Sequence, residues 1–203
     1  RDLVAVDVGT GTGTLALELA AAGMRVIAVD HSKAMLDAAR RKLDGSAARV
    51  ELRLGEATAL PLADAEADVA FAHLVLQYLP APGRALAELA RVVKPAGAVV
   101  VVDFVRHARE WMRQELGVVW MGFAPDEVAG WLEGAGLEHV RVEVQAGLRL
   151  FRAVTGNARV VQHGPDDIRE SLFVREGARP IPVGRWRARA AEPRLRARVL
   201  RTA

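Results

Sequence analysis

Val6-Asp7-Val8-Gly9-Thr10-Gly11-Thr12-Gly13 decides how this chain is read: an apolar run carrying one acid, three glycines alternating with threonines, then Thr14-Leu15-Ala16-Leu17. Glycines are needed where backbone turns sharply and lets a ligand come close, and here they join a strand to a helix. No Lys follows the last glycine, so a Walker-type phosphate cradle does not fit. The spacing is GxGxG rather than GxGxxG, which weakens a dinucleotide reading. Asp7 precedes the first glycine by two residues, where a carboxylate suits a cationic amino group and repels a pyrophosphate. Asp30 closes the next apolar run, where it can accept both hydroxyls of a ribose.

Outward from this loop, short apolar runs alternate with amphipathic stretches over the first 140 residues, the pattern of a parallel sheet flanked by helices. Strands are expected at Leu3 to Val8, Arg25 to Val29, Val50 to Leu54, Asp68 to Ala72 and Ala98 to Asp103. A sixth is expected at His139 to Val144 and a seventh at Ser171 to Arg175. Helices are expected at Thr14 to Ala22 and, behind the N-cap Ser32, at Lys33 to Leu43. Leu86, Leu89, Ala90 and Val93, and again Val128, Trp131, Leu132 and Ala135, share the spacing of one buried helix face. The fold class is α/β: a Rossmann-like doubly wound sheet, mostly parallel with an antiparallel last strand, in the order 3-2-1-4-5-7-6. An insert from Phe104 to Ala124, rich in Trp and Met, reads as a helical excursion over the top of the sheet. Between Gly147 and Asp167 the pattern leaves a long loop and an irregular strand equally open.

Composition narrows the chemistry. With 203 residues, 51% hydrophobic and 26% charged, the chain has the make-up of a folded domain. Nearly uncharged apolar stretches such as Ala96 to Val102 are far short of a bilayer span, and Asp2 and Asp7 interrupt any signal-peptide pattern, so the expected location is cytoplasmic. Absence of Cys removes disulfides, thiolate metal sites and cysteine nucleophiles. No His, Asp and Glu cluster has metal-ligand spacing, so no metal is expected. Charge divides along the chain: residues 151–203 hold 12 Arg against 5 Asp or Glu, while the preceding body is mildly acidic. The Arg-rich run Arg185, Arg187, Arg189, Arg194, Arg196, Arg198 and Arg201 has one aromatic and no Lys, and reads as a solvated tail rather than a specific nucleic-acid surface. Three regions are expected: a core over 1–145, an irregular segment completing the sheet edge over 146–184, and the basic tail over 185–203.

The glycine loop with its two acids resembles the class I S-adenosylmethionine-dependent methyltransferases, and the likeness runs over roughly residues 3 to 140. Gly55-Glu56-Ala57-Thr58-Ala59-Leu60-Pro61 resembles the family's third motif, with Glu for its usual Asp. Ala70-Phe71-Ala72-His73-Leu74-Val75-Leu76-Gln77-Tyr78-Leu79 is similar to the segment after the fourth strand that faces cofactor and substrate. Arg91-Val92-Val93-Lys94-Pro95-Ala96-Gly97-Ala98 is similar to the family's Leu-Lys-Pro-Gly-Gly turn, with Ala96 for one glycine. The resemblance implies S-adenosyl-L-methionine as cofactor, bound by Asp7, Gly9, Thr10, Gly11, Gly13, Asp30, His31, Met35, Glu56, Ala57 and His73. Within that set Asp7 and the glycines would embrace the methionine part, Asp30 the ribose and Glu56 the adenine amino group.

In general pattern the chain is similar to the ubiquinone and menaquinone biosynthesis type. The insert is similar to methyltransferase domains fused behind arsenical-repressor-type regulators. The resemblance implies methyl transfer to a small-molecule carbon or oxygen nucleophile by in-line displacement, with alignment as the protein's main contribution. His107 and His73 are the candidate bases for an acidic acceptor. Tyr78, Trp111, Trp120 and Phe123 are candidates for the acceptor pocket, with packing in the core as the competing role for the aromatics. Family members carry helices before the first strand that cover the substrate; the sequence begins at that strand, so the expectation is a partial domain that binds cofactor and transfers slowly. Two other readings stay open: a cofactor-binding regulatory module without turnover, and a nicotinamide-dependent oxidoreductase.

Overall fold

The apolar runs become strands buried on both faces, which is why Ala5, Val6, Ile27 and Ala28 have no exposed surface. The computed structural model describes residues 3–44, 49–144, 149–154 and 159–163. Its elements are β1 (Val4–Val8), α1 (Thr14–Ala21), β2 (Arg25–Asp30), α2 (Lys33–Leu43), β3 (Val50–Leu54), β4 (Ala67–His73), α3 (Pro82–Val92), β5 (Val93–Phe104), α4 (Trp111–Leu116), α5 (Pro125–Gly134), β6 (Glu138–Val144), β7 (Arg149–Val154) and β8 (Arg159–His163). A 3-10 turn at Leu76–Tyr78 follows β4. Ser32 caps α2 as its sequence position suggests, its hydroxyl accepting the Met35 N–H at 3.4 Å.

The strand order is β3-β2-β1-β4-β5-β7-β6-β8, and β1 to β5 are joined by parallel ladders. The first seven positions match the expected order, with β7 antiparallel to β5 and to β6. The slot expected for Ser171 to Arg175 is filled by Arg149–Val154, inside the stretch whose sequence pattern was ambiguous. The expected strand at Ser171 to Arg175 and the 185–203 tail lie outside the described residues. A further strand, β8, runs parallel to the carboxyl half of β5. Among the described residues no helix is long and apolar enough to cross a membrane.

Side chains alternate across the sheet, so each strand feeds two cores. Ala5, Val26 and Ala28 pack with α1 through Ala16 and Leu19. Val6, Val8, Ile27, Val99 and Val101 pack with α3 and α5 through Leu86, Leu89, Val128 and Leu132. The same alternation carries Asp7 and Asp30 onto the α1 face, in the rows headed by Ala5 and Val26, at the carboxyl ends of their strands.

The insert differs from the helical excursion expected. Only Trp111–Leu116 is helical; Gly117 and Gly122, both at positive φ (67° and 75°), turn the chain back toward β5. Gly122 is irreplaceable on steric grounds as well, because a Cβ there would lie 2.2 Å from the Val105 carbonyl oxygen. The returning chain is fastened by Phe123 N–H to Phe104 O (2.8 Å), Arg106 N–H to Phe123 O (3.1 Å) and His107 N–H to Met121 O (2.9 Å).

Candidate functional site

The parallel register sets the carboxyl ends of four strands side by side: Val8 opposite Val29 and Ala72, Asp30 opposite Leu54, His73 opposite Val102. Strand order reverses at β1, and the glycine loop leaves the sheet there. A crevice at such a reversal is where open α/β sheets receive ligands.

Gly9, Gly11 and Gly13 all have positive φ, at 71°, 55° and 77°. At Gly9 the demand is also steric, since a Cβ would sit 2.4 Å from Val75 Cγ2 in the loop after β4. At Gly11 a Cβ would meet nothing within 4 Å, so this glycine borders open space. The Gly11 N–H donates to Asp30 Oδ2 at 2.8 Å and the Ser32 N–H donates to Asp30 Oδ1 at 2.8 Å. A carboxylate has about four acceptor positions, so one remains on each Asp30 oxygen. Such a pair suits two adjacent hydroxyls.

Asp7 is 1% exposed and its Oδ2 accepts the Thr10 hydroxyl at 2.7 Å. Burial pushes its pKa up to about 6 and the Asp30 charge adds to the rise, against hydrogen bonds from Thr10 and the Ala16 backbone. Among the described residues no cation pairs with it, so the site holds a buried carboxylate with an unmet demand for positive charge. His31 and Met35 stand at the exposed rim, His31 Nδ1 lying 3.5 Å from Asp30 Oδ1. Glu56 is exposed in the turn after β3, beside buried Ala57. That turn is tied to the site by the Gly55 N–H, which donates to Asp30 O at 3.0 Å.

The two candidate bases are set differently from what proton abstraction needs. Burial pulls His73 down to about 4, leaving it neutral and weakly basic. His107 is also held down by burial, with the Arg109 charge adding. Its Nδ1 accepts the Arg109 N–H at 3.3 Å, so in the neutral ring the proton sits on Nε2, and the lone pair a base would use is already engaged.

The aromatic candidates separate. Phe123 is fully buried in the main core, within 5.7 Å of both the Trp120 and Trp131 rings, so packing rather than contact with an acceptor is its role. Trp120 shares that cluster and donates its indole N–H to Leu79 O at 2.8 Å. Trp111 packs against a smaller cluster of Phe104, Met112 and Val118. Tyr78, at the end of the 3-10 turn, is 39% exposed and is the most exposed of the four.

Sequence reasoning passed over Asp103. It is 0% exposed, its Oδ2 accepts the Leu76 N–H at 3.0 Å and its Oδ1 the Phe104 N–H at 2.8 Å. The signal was available: like Asp30, it is a lone acid closing an uncharged apolar run, Ala98 to Val102.

Comparison with known proteins agrees with this geometry. Residues 6–101 match the family model described as a methyltransferase domain. Over this stretch the chain is similar to methyltransferase domains. The demethylmenaquinone methyltransferase of Clavibacter sepedonicus is 40% identical over 99 residues, 49% of this chain and 40% of that protein. The malonyl-[acyl-carrier protein] O-methyltransferase of Yersinia pestis is 33% identical over 117 residues, 58% of this chain and 41% of that one. The chain thus spans about two fifths of the length of these relatives. Haemonchus contortus phosphoethanolamine N-methyltransferase 2, solved with S-adenosyl-L-methionine, superposes with a TM-score of 0.64 over 70% of this chain and 35% of that one, at 21% identity. The matched stretch contains the glycine loop, Asp7, Asp30 and the segment after β4, and the fold is that of solved S-adenosylmethionine-dependent methyltransferases.

Proposed function

We propose that the chain binds S-adenosyl-L-methionine at the carboxyl edge of β1, β2 and β4 and transfers its methyl group to a small-molecule carbon or oxygen nucleophile. The observation that carries this reading is the acid pair on one sheet face. Asp7 is buried without a counter-charge among the described residues, and Asp30 is oriented by Gly11 and Ser32 with one acceptor position left on each oxygen. An ammonium answers the first and the two hydroxyls of a ribose answer the second; a pyrophosphate answers neither. Gly11, bordering open space, leaves room for the ligand between them.

When bound, the cofactor would supply an electrophilic sulfonium methyl, so that an acceptor bonding to that carbon in line would break its bond to sulfur and release S-adenosylhomocysteine. Asp7, Asp30 and the glycine loop hold and orient it, with Glu56, Ala57, His31 and Met35 along the adenosine side and Thr10, Gly13 and His73 completing the loop's surroundings. Tyr78 is the aromatic assigned to the acceptor side. Neither histidine is poised to take a proton, so the protein contributes alignment, which can supply several kcal/mol of the barrier. The same observation favours a second reading, a cofactor-binding module without turnover.

Isothermal titration of the chain with S-adenosylhomocysteine and with NAD tests the first step. Binding of the former and none of the latter is expected, and Asp30→Ala is expected to cost about 1.5 to 3 kcal/mol for each lost hydrogen bond to the charged acceptor. Tighter binding of NAD would overturn the reading. Methyl transfer to quinols, phenols and malonyl thioesters then separates enzyme from module.

A further inference from the structure

Three segments that are far apart in sequence meet at the carboxyl end of β5. Asp103 lies on the α3 and α5 face of the sheet, opposite Asp7 and Asp30, and is fully buried. Its carboxylate accepts backbone N–H groups from Leu76 and Gln77 in the 3-10 turn and from Phe104 at the root of the insert. Gln77 passes the connection on: its backbone oxygen accepts the N–H of Val119 at 2.9 Å and of Trp120 at 3.0 Å. The Trp120 indole reaches back to Leu79 O, so the insert is fastened to the post-β4 loop at three points. On its other side the same loop presses Val75 against Gly9, leaving no room for a Cβ there. Leu74, between Val75 and the end of β4, is held at φ 56°, a left-handed conformation that is strained for an L-residue and persists only where the surroundings impose it.

We propose that Asp103 is a positioning residue that couples the glycine loop, the 74–79 loop and residues 119–121 of the insert, so that filling the cofactor side firms the wall on the acceptor side. The proposal rests on the functional reading above, in which the glycine loop receives the cofactor. Asp103 itself touches neither ligand. It acts through backbone: loosening its hold on Leu76 and Gln77 frees Val75 from Gly9 and frees Gln77 O from Val119 and Trp120 together. Isolated packing would let each wall relax alone, whereas one carboxylate holding the loop that touches both other segments makes them open as one unit.

Amide hydrogen exchange on the full chain, read residue by residue, tests this with S-adenosylhomocysteine as the probe. Without ligand, Leu76 and Trp120 are expected to show protection factors within about threefold of each other, and saturating ligand is expected to slow both by about tenfold. In Asp103→Asn, Trp120 exchange is expected to speed up by about tenfold and its response to ligand to vanish, while the Gly11 amide still responds. The Trp120 indole resonance should shift in the same variant. Asp68→Asn is the control for simple destabilisation: that carboxylate accepts the Val4 N–H and binds Lys94 at the opposite edge of β4, and its loss should leave the indole resonance in place. Ligand that perturbs Gly11 but leaves Trp120 exchange unchanged overturns the coupling. Gly11 failing to respond to ligand overturns the functional reading instead, and the unliganded comparison still decides: protection factors differing by more than about tenfold overturn the coupling in the wild-type chain, whether or not Asp103→Asn folds.

Discussion

Asp7 shows function and stability in opposition at a single residue. Burial raises its pKa from 3.8 to about 6 because the fold favours the neutral acid. A raised carboxyl contributes stability that is fully present below the unfolded value near 3.8 and is lost as pH rises through about 6. At pH 8 the unliganded protein therefore carries a penalty of about 3 kcal/mol at this one position, by the ordinary conversion of a two-unit shift. Asp7→Asn keeps the size of the side chain and a partner for the Thr10 hydroxyl while staying neutral at every pH. Its melting temperature is expected to exceed that of the parent by several degrees at pH 8 and to converge with it near pH 4. Thermal denaturation across that range checks the sign, and titration should show that the same substitution weakens S-adenosylhomocysteine. Gain of stability with loss of binding is the expected signature of a residue kept for its ligand.

Among the elements, the bulged turn near the start of β5, between its pairings with β4 at Val93 and Ala98, carries a strain that its own sequence created. Ala96 stands at φ 63°, is exposed, and occupies the position where the resembling family has glycine. Ala96→Gly is expected to raise stability by about 1 kcal/mol, since it relieves a left-handed L-residue without removing buried contacts. Gly97 is different: a Cβ there would lie 2.7 Å from the Asp68 carbonyl oxygen, so Gly97→Ala should destabilise. Paired melting curves of the two variants distinguish relief of strain from loss of space. The turn also shows what sequence could reveal. Motif spacing was enough to place β1 to β5, the glycine loop, Asp7 and Asp30, because those positions are set by local rules: two-residue alternation, strand-ending acids and turn glycines. The insert escaped, because its path is set by backbone hydrogen bonds from Phe104, Arg106 and His107 to Met121 and Phe123, which leave no periodic trace. For the same reason the sequence left acceptor wall and core packing both open for Trp120 and Phe123; their burial depends on Trp131 arriving from α5. Asp103 was missed because its partners are main-chain groups of a distant turn.

At the scale of the whole molecule, two cores are built on opposite faces of one sheet, and the proposed ligand site sits at the edge they share. Asp7 and Asp30 belong to the α1 face, Asp103 to the α3 and α5 face, and the loop from Leu74 to Leu79 crosses between them. A ligand that bridges β1, β2 and β4 therefore ties down the loops of both layers. Anything that binds only the folded state stabilises it by mass action, about 2.7 kcal/mol at a hundredfold excess over the dissociation constant. For a chain of this size each kcal/mol corresponds to about 2 to 4 °C. S-adenosylhomocysteine at that excess should thus raise the melting temperature by about 5 to 10 °C in a single cooperative step. NAD at the same concentration should leave it unchanged, and Asp30→Ala should remove most of the shift, since its carboxylate holds both Gly11 and the β2 to α2 turn at Ser32. Differential scanning fluorimetry reads all three. An equal shift from NAD would mean that the edge answers to a generic nucleotide, and a full shift surviving in Asp30→Ala would place the ligand elsewhere on the molecule.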